Sequence, residues 1–67
     1  MNDFILPGDM GAQIAQDIAD AWDMLFKLCY IKQAPFEYAE AEVHLRLTRG
    51  LTELEAIRNV YHDIAYS

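Results

Sequence analysis

"AEAEVHLRL", residues 39–47, decides what kind of fold this chain can have. Apolar and polar residues alternate along it, the period of a half-buried strand. Alanine and glutamate, however, are good helix formers and poor strand formers. A lone strand in an otherwise helical chain would also need a partner, the same strand of a second molecule. Read as a helix over 36–49, the segment puts Phe36, Ala39, Val43 and Leu47 on one face. Tyr38, Ala41 and Leu45 fall on another, and Arg46 and Arg49 sit near the C-terminus, where the helix dipole favours positive charge. The helical reading prevails, and an all-α fold is expected.

Downstream, Gly50 suits the left-handed residue that closes a helix. "TELE", Thr52–Glu55, is a capping box, with threonine and glutamate each satisfying a free N–H of the other's end. The spacing predicts a helix over 53–65, with Leu54, Ile57, Tyr61 and Ile64 as its buried stripe and Val60 alongside. Glu55, Arg58, Asn59 and His62 face water. Upstream, Pro35 pushes Ala34 out of the helical region and itself fits the first turn of the next helix.

A long helix is expected over about 10–32. Ile14, Ile18, Ala21, Leu25 and Leu28 form one apolar seam at 4-3-4-3 spacing, and Ala15, Ala19, Trp22, Phe26 and Cys29 form a second beside it. Gln13, Gln16, Asp17, Asp20, Asp23 and Lys27 make the polar strip, with Asp23 and Lys27 set for an i,i+4 pair. Residues 1–9, with Pro7 and Gly8, read as an irregular arm, and Asp9 as the N-cap. The expected architecture is one small three-helix domain over 1–67, a long helix followed by a helix-turn-helix-like hairpin.

At 67 residues, 54% of them apolar, the chain is too small to hide that surface alone, and Cys29 as the sole cysteine allows no internal disulfide. A homodimer is therefore expected, with the long helix at its centre and the two-fold axis near Leu25. Its interface would comprise Ile14, Ile18, Ala21, Trp22, Leu25 and Leu28. Trp22, Phe26 and Phe36 are assigned to the core, while Tyr30, Tyr38 and Tyr66 are candidate surface anchors.

The net charge is −6. Five aspartates and no base precede Lys27, and the later bases are dispersed. This opposes nucleic-acid and anionic-membrane binding. The longest apolar runs, "MLF" and "LCYI", are too short for a span, the N-terminus lacks the pattern of a signal peptide, and a cytoplasmic location is expected.

Chemistry candidates are thin. Glu37, Glu40 and His44 share a helical face that could ligate a metal only across a dimer. The plainer reading is a solvated face. His62 and Asp63 diverge by about 100° and do not form an acid–base pair. Cys29 has no local activating histidine. Catalysis, metal and cofactor are not expected.

Small acidic helical chains without a chemical site are common among phage and mobile-element accessory proteins that act by binding a host protein, which is an association and not a resemblance. The leading expectation is accordingly a helical interaction protein that binds or blocks a partner protein, with Asp17, Asp20, Asp23, Tyr30, Tyr38 and Tyr66 as candidate contacts. The alternatives are a DNA mimic, its carboxylates imitating phosphates, and a dimeric helix-turn-helix regulator. The last is disfavoured because the turn that would enter the groove carries Glu53 and Glu55. Because one chain supplies no converging ligand triad, the melting temperature should be unchanged by stoichiometric zinc or by chelator. A rise of several degrees with zinc would restore Glu37, Glu40 and His44 as a metal site.

Overall fold

The structure, a computed structural model, describes the backbone from residue 7 and side chains from residue 13 to the end of the chain. Three helices follow one another: α1 (Pro7–Lys32), α2 (Phe36–Thr48) and α3 (Glu53–Ala65). The ambiguous stretch is helical throughout, and no strand occurs among the described residues. Residues 39–47 become helical because a 3.6-residue period places Ala39 and Val43 on one line, and both are fully buried there.

α1 begins earlier than the sequence pattern suggests. Pro7 to Asp9, assigned to the arm, are its first residues, and Asp9 lies inside the helix rather than capping it. Proline is well tolerated there because the first turn has no use for its missing N–H. Residues 1–6 of the expected arm lie outside the described residues. Pro35 likewise shifts by one position: it stands just ahead of α2 in extended conformation, with no side chain capping the helix.

Both interhelical turns close by the same hydrogen-bonding device. After α2, Gly50 N–H donates to the Leu47 carbonyl at 3.1 Å and Leu51 N–H to the Arg46 carbonyl at 3.3 Å. Gly50 holds the left-handed conformation that this Schellman closure requires, with φ of 97°. After α1, Gln33 N–H donates to the Tyr30 carbonyl at 3.2 Å and Ala34 N–H to the Cys29 carbonyl at 2.9 Å. Here the left-handed residue is Gln33, with φ of 59°. No glycine marks this turn, so the sequence pattern placed the end of α1 by Pro35 alone.

At the start of α3 the capping box is formed in both directions: Glu55 N–H donates to Thr52 Oγ1 at 3.2 Å, and Thr52 N–H to Glu55 Oε1 at 2.9 Å. The hydrogen bonds from Thr52 hold the Glu55 carboxyl below its ordinary pKa. A carboxyl depressed in this way stabilises the fold above the usual glutamate range. That contribution is lost as acid takes the pH down through the lower folded value.

The core draws on all three helices: Ala21, Leu25 and Cys29 from α1, Ala39 and Val43 from α2, and Ala56, Ile57, Val60 and Ile64 from α3. Ile18, Trp22, Leu28, Phe36, Leu47, Leu54 and Tyr61 pack around it. The buried line on α1 thus runs between the two seams. Leu25, with 0% exposure, is inside its own chain and is not available to a dimer axis, and Ala21 is likewise buried. The second seam is left largely open: Ala15, Ala19 and Phe26 are exposed and Trp22 is half-buried. The expectation that Trp22, Phe26 and Phe36 lie in the core is also corrected. They form an edge-to-face ladder at its margin, with centroids 5.9 Å apart for Trp22–Phe36 and 5.2 Å for Phe26–Phe36. Trp22 stays at the margin because its indole N–H donates to Glu53 Oε2 at 2.9 Å.

A non-glycine residue in left-handed conformation costs about 1–2 kcal/mol, while glycine's extra unfolded-state freedom returns roughly 0.5–1 kcal/mol of that. Gln33→Gly should therefore stabilise the fold by about 0.5–1 kcal/mol, read from the urea midpoint at unchanged slope. A lower midpoint would mean that the Gln33 side chain contributes more than its backbone costs.

Candidate functional site

Exposed apolar surface concentrates on the C-terminal half of α1. In "MLFKLCYI", residues 24–31, Lys27 is the only charged residue. A helix apolar around its whole circumference belongs in an interior. Here α2 and α3 cover only the arc of Leu25, Leu28 and Cys29. Met24 and Phe26 each remain 54% exposed, Ile31 74% and Tyr30 82%. Phe26, Lys27, Tyr30 and Ile31 line a shallow groove on the outer side of the helix. Met24 instead joins a cleft between α1 and α3. Asp17, Asp20 and Ala21 share its α1 wall, and Ile57, Arg58, Tyr61 and His62 form its α3 wall. Acidic groups thus face basic ones across an apolar floor.

The candidate contact residues do not form one site. Asp17 and Asp20 border the α1–α3 cleft, each accepting from a glutamine one turn back, Gln13 and Gln16, at 3.0 Å. Tyr66 stands near it, its ring centroid 4.5 Å from that of His62. Asp23 points elsewhere and pairs with Lys27 at 2.9 Å. Tyr30 lies on the outer groove of α1, and Tyr38 on a separate cleft between α2 and α3. Of the residues assigned to self-association, Ile14 is exposed, Ile18, Trp22 and Leu28 are half-buried, and Ala21 and Leu25 are interior.

The α2–α3 cleft contains a feature that sequence spacing shows only in part. The Arg46 guanidinium donates to Glu42 Oε1 at 2.8 Å, to Asn59 Oδ1 at 2.6 Å and to Asp63 Oδ2 at 2.5 Å. Its side chain is 14% exposed. The hydrogen bond to Glu42, aided by the Asp63 charge, raises the guanidinium pKa further above its ordinary value. The Glu42–Arg46 pair is visible as i,i+4 spacing. Asn59 and Asp63 become legible only once α2 and α3 are docked. Arg46 is therefore a clamp between helices, unavailable to a phosphate.

Glu53 and Glu55, at the head of α3, are also committed, to Trp22 and to the capping box. Cys29 is 2% exposed, and burial pushes its thiol pKa up, away from reactive thiolate. No helix among the described residues is long and apolar enough to cross a membrane. No protein-family model, curated protein or solved structure matches the chain.

Truncating Arg46 removes four hydrogen bonds, two to Glu42 and one each to Asn59 and Asp63, but Asp63, 61% exposed, regains water. Arg46→Ala should accordingly cost about 1–2 kcal/mol of unfolding free energy, and Arg46→Lys should recover only part, lacking the planar fork. Equal stability of Arg46→Lys and the wild-type chain would show that charge alone matters there.

Proposed function

We propose that this chain is a small acidic helical interaction protein that acts by occupying a surface of another protein, as an inhibitor does. The observation that carries the reading is the exposure of Met24, Phe26, Tyr30 and Ile31 on one short length of α1. Large apolar side chains clustered on a protein surface mark interaction sites, and aromatic residues are the usual anchors. The cleft between α1 and α3 extends this surface, adding Asp17 and Asp20 beside Arg58 and His62 as polar contacts that would orient a partner segment.

Two features weigh against the other classes. Arg46 is held by Glu42, Asn59 and Asp63, and the first turn of α3 is acidic, which leaves a helix-turn-helix outline without a phosphate-binding surface. Mimicry of DNA would call for a continuous field of free carboxylates, whereas Asp23 and Asp63 are paired with bases. With its buried unpaired thiol, the protein suits the reducing cytoplasm.

Affinity capture from cytoplasmic extract, comparing the full chain with Met24→Glu/Ile31→Glu, tests the proposal. Both positions are exposed, so the double variant should keep its circular dichroism. The expected result is a discrete protein partner retained by the wild-type chain and depleted at least tenfold with the variant. Duplex DNA shifted by the chain at micromolar concentration in a salt-dependent manner would overturn the reading in favour of a regulator. A nucleic-acid enzyme lost only on Asp17→Lys/Asp20→Lys would overturn it in favour of mimicry.

A further inference from the structure

We infer that the face of α1 formed by Ala15, Ala19, Trp22, Phe26 and Tyr30 is the self-association surface of this chain. A second copy packs on it antiparallel, about a two-fold axis level with Trp22. The inference rests on the proposal that the exposed surface of α1 is for binding, and it assigns one flank of that surface an occupant.

Length provides the first argument. α1 has 26 residues, whereas α2 and α3 have 13 each. At 1.5 Å per residue α1 is about 39 Å long and its companions about 20 Å. Burial along α1 starts only near Asp17 and Ile18, and Gln13 to Gln16 are all exposed, including Ile14 at 56%. The stretch Gln13 to Gln16 of α1 therefore extends beyond the hairpin. A helical segment of that length is marginal in water unless something packs along it. An antiparallel copy supplies the missing surface, because Gln13 to Gln16 of each chain lie beside residues 29–32 of the other.

Shape provides the second. The open face is graded along the helix: two alanines in its first half, Phe26 and Tyr30 in its second. Antiparallel pairing about Trp22 sets Ala19 against Phe26 of the second copy and Ala15 against its Tyr30. Each large ring thus meets a small residue, the alternation that fills space without overpacking. A parallel pair would oppose ring to ring and methyl to methyl.

Area is sufficient. With about 150–250 Å² on each aromatic side chain, the exposed 54% of Phe26 and 82% of Tyr30 leave on the order of 300 Å² uncovered. Ala15, Ala19 and the edges of Trp22 and Phe36 bring the face to roughly 500 Å² per chain, hence on the order of 1,000 Å² for the pair, the lower bound for a specific interface. Met24 lies on the opposite flank, in the α1–α3 cleft, and stays free for another partner.

Analytical ultracentrifugation of the full chain should give about twice the 7.7 kDa chain mass at micromolar concentration. Ala19→Arg places a guanidinium where the Phe26 ring of the second copy belongs. It should weaken the dimer at least a hundredfold while the three-helix core still melts cooperatively, whereas Ala41→Arg, on the exposed side of α2, should leave the dimer intact. Ala19 and Phe26 are about 10 Å apart along one helix, too far for a nuclear Overhauser effect within a chain. An isotope-filtered experiment on mixed labelled and unlabelled protein should therefore show an Ala19 methyl to Phe26 ring cross-peak between chains. A monomer at high micromolar concentration would overturn the inference, even if capture through Met24 and Ile31 succeeds. A dimer lacking that cross-peak, or insensitive to Ala19→Arg, would overturn the assigned face and register.

Discussion

Among the described residues, Leu25 is the largest side chain with no exposed surface, in a core of nine buried residues of which three are alanines and one is cysteine. So small a core limits everything outside it. Alanines at 21, 39 and 56 let the helices approach closely, but they also mean that α2 and α3 can enclose only a narrow arc of α1. Fully burying a leucine or valine is worth roughly 1.5–3 kcal/mol, and five buried residues among those described are larger than alanine or cysteine. The flanks of α1 are left open by α2 and α3.

That geometry gives α1 four distinct surfaces. Its inner line belongs to the fold, one flank is graded from alanine to aromatic residues, and the other borders a cleft with charges of both signs. Its outermost strip, Gln13–Asp17, Gln16–Asp20 and Asp23–Lys27, is tied by i,i+4 contacts that support the helix without reference to the rest of the molecule. A helix built this way keeps its form beyond the body of the domain better than propensity alone would allow.

Much of this was legible from residue order. The helical period of 39–47, the capping box at Thr52 and the glycine closure at Gly50 are local features, fixed by neighbours three to five residues apart, and they stand as read. The width of the apolar face on α1 was legible too. Which part of that face the hairpin would cover was not, because helix rotation is set by packing rather than by spacing. Two seams of equal pattern resolve into an inner line between them, and Leu25 passes from the expected interface to the core. Gln33 escaped notice because glutamine is not a turn signal; it takes the left-handed conformation because Pro35 bars the helix from continuing. The start of α1 was placed late because proline and glycine read as breakers, although proline at a first turn breaks nothing.

Arg46 has a consequence for how this sequence can drift. One guanidinium holds side chains from positions 42, 59 and 63, so none of the four changes independently. Loss of the arginine leaves two carboxylates within reach of each other across the α2–α3 cleft, which then favours replacing one of them by a neutral residue. Substitutions at these positions are therefore non-additive, and a change tolerated in one background is harmful in another. Chains descended from a common ancestor with this one would be expected to vary there in concert, as a group rather than a set of separate sites.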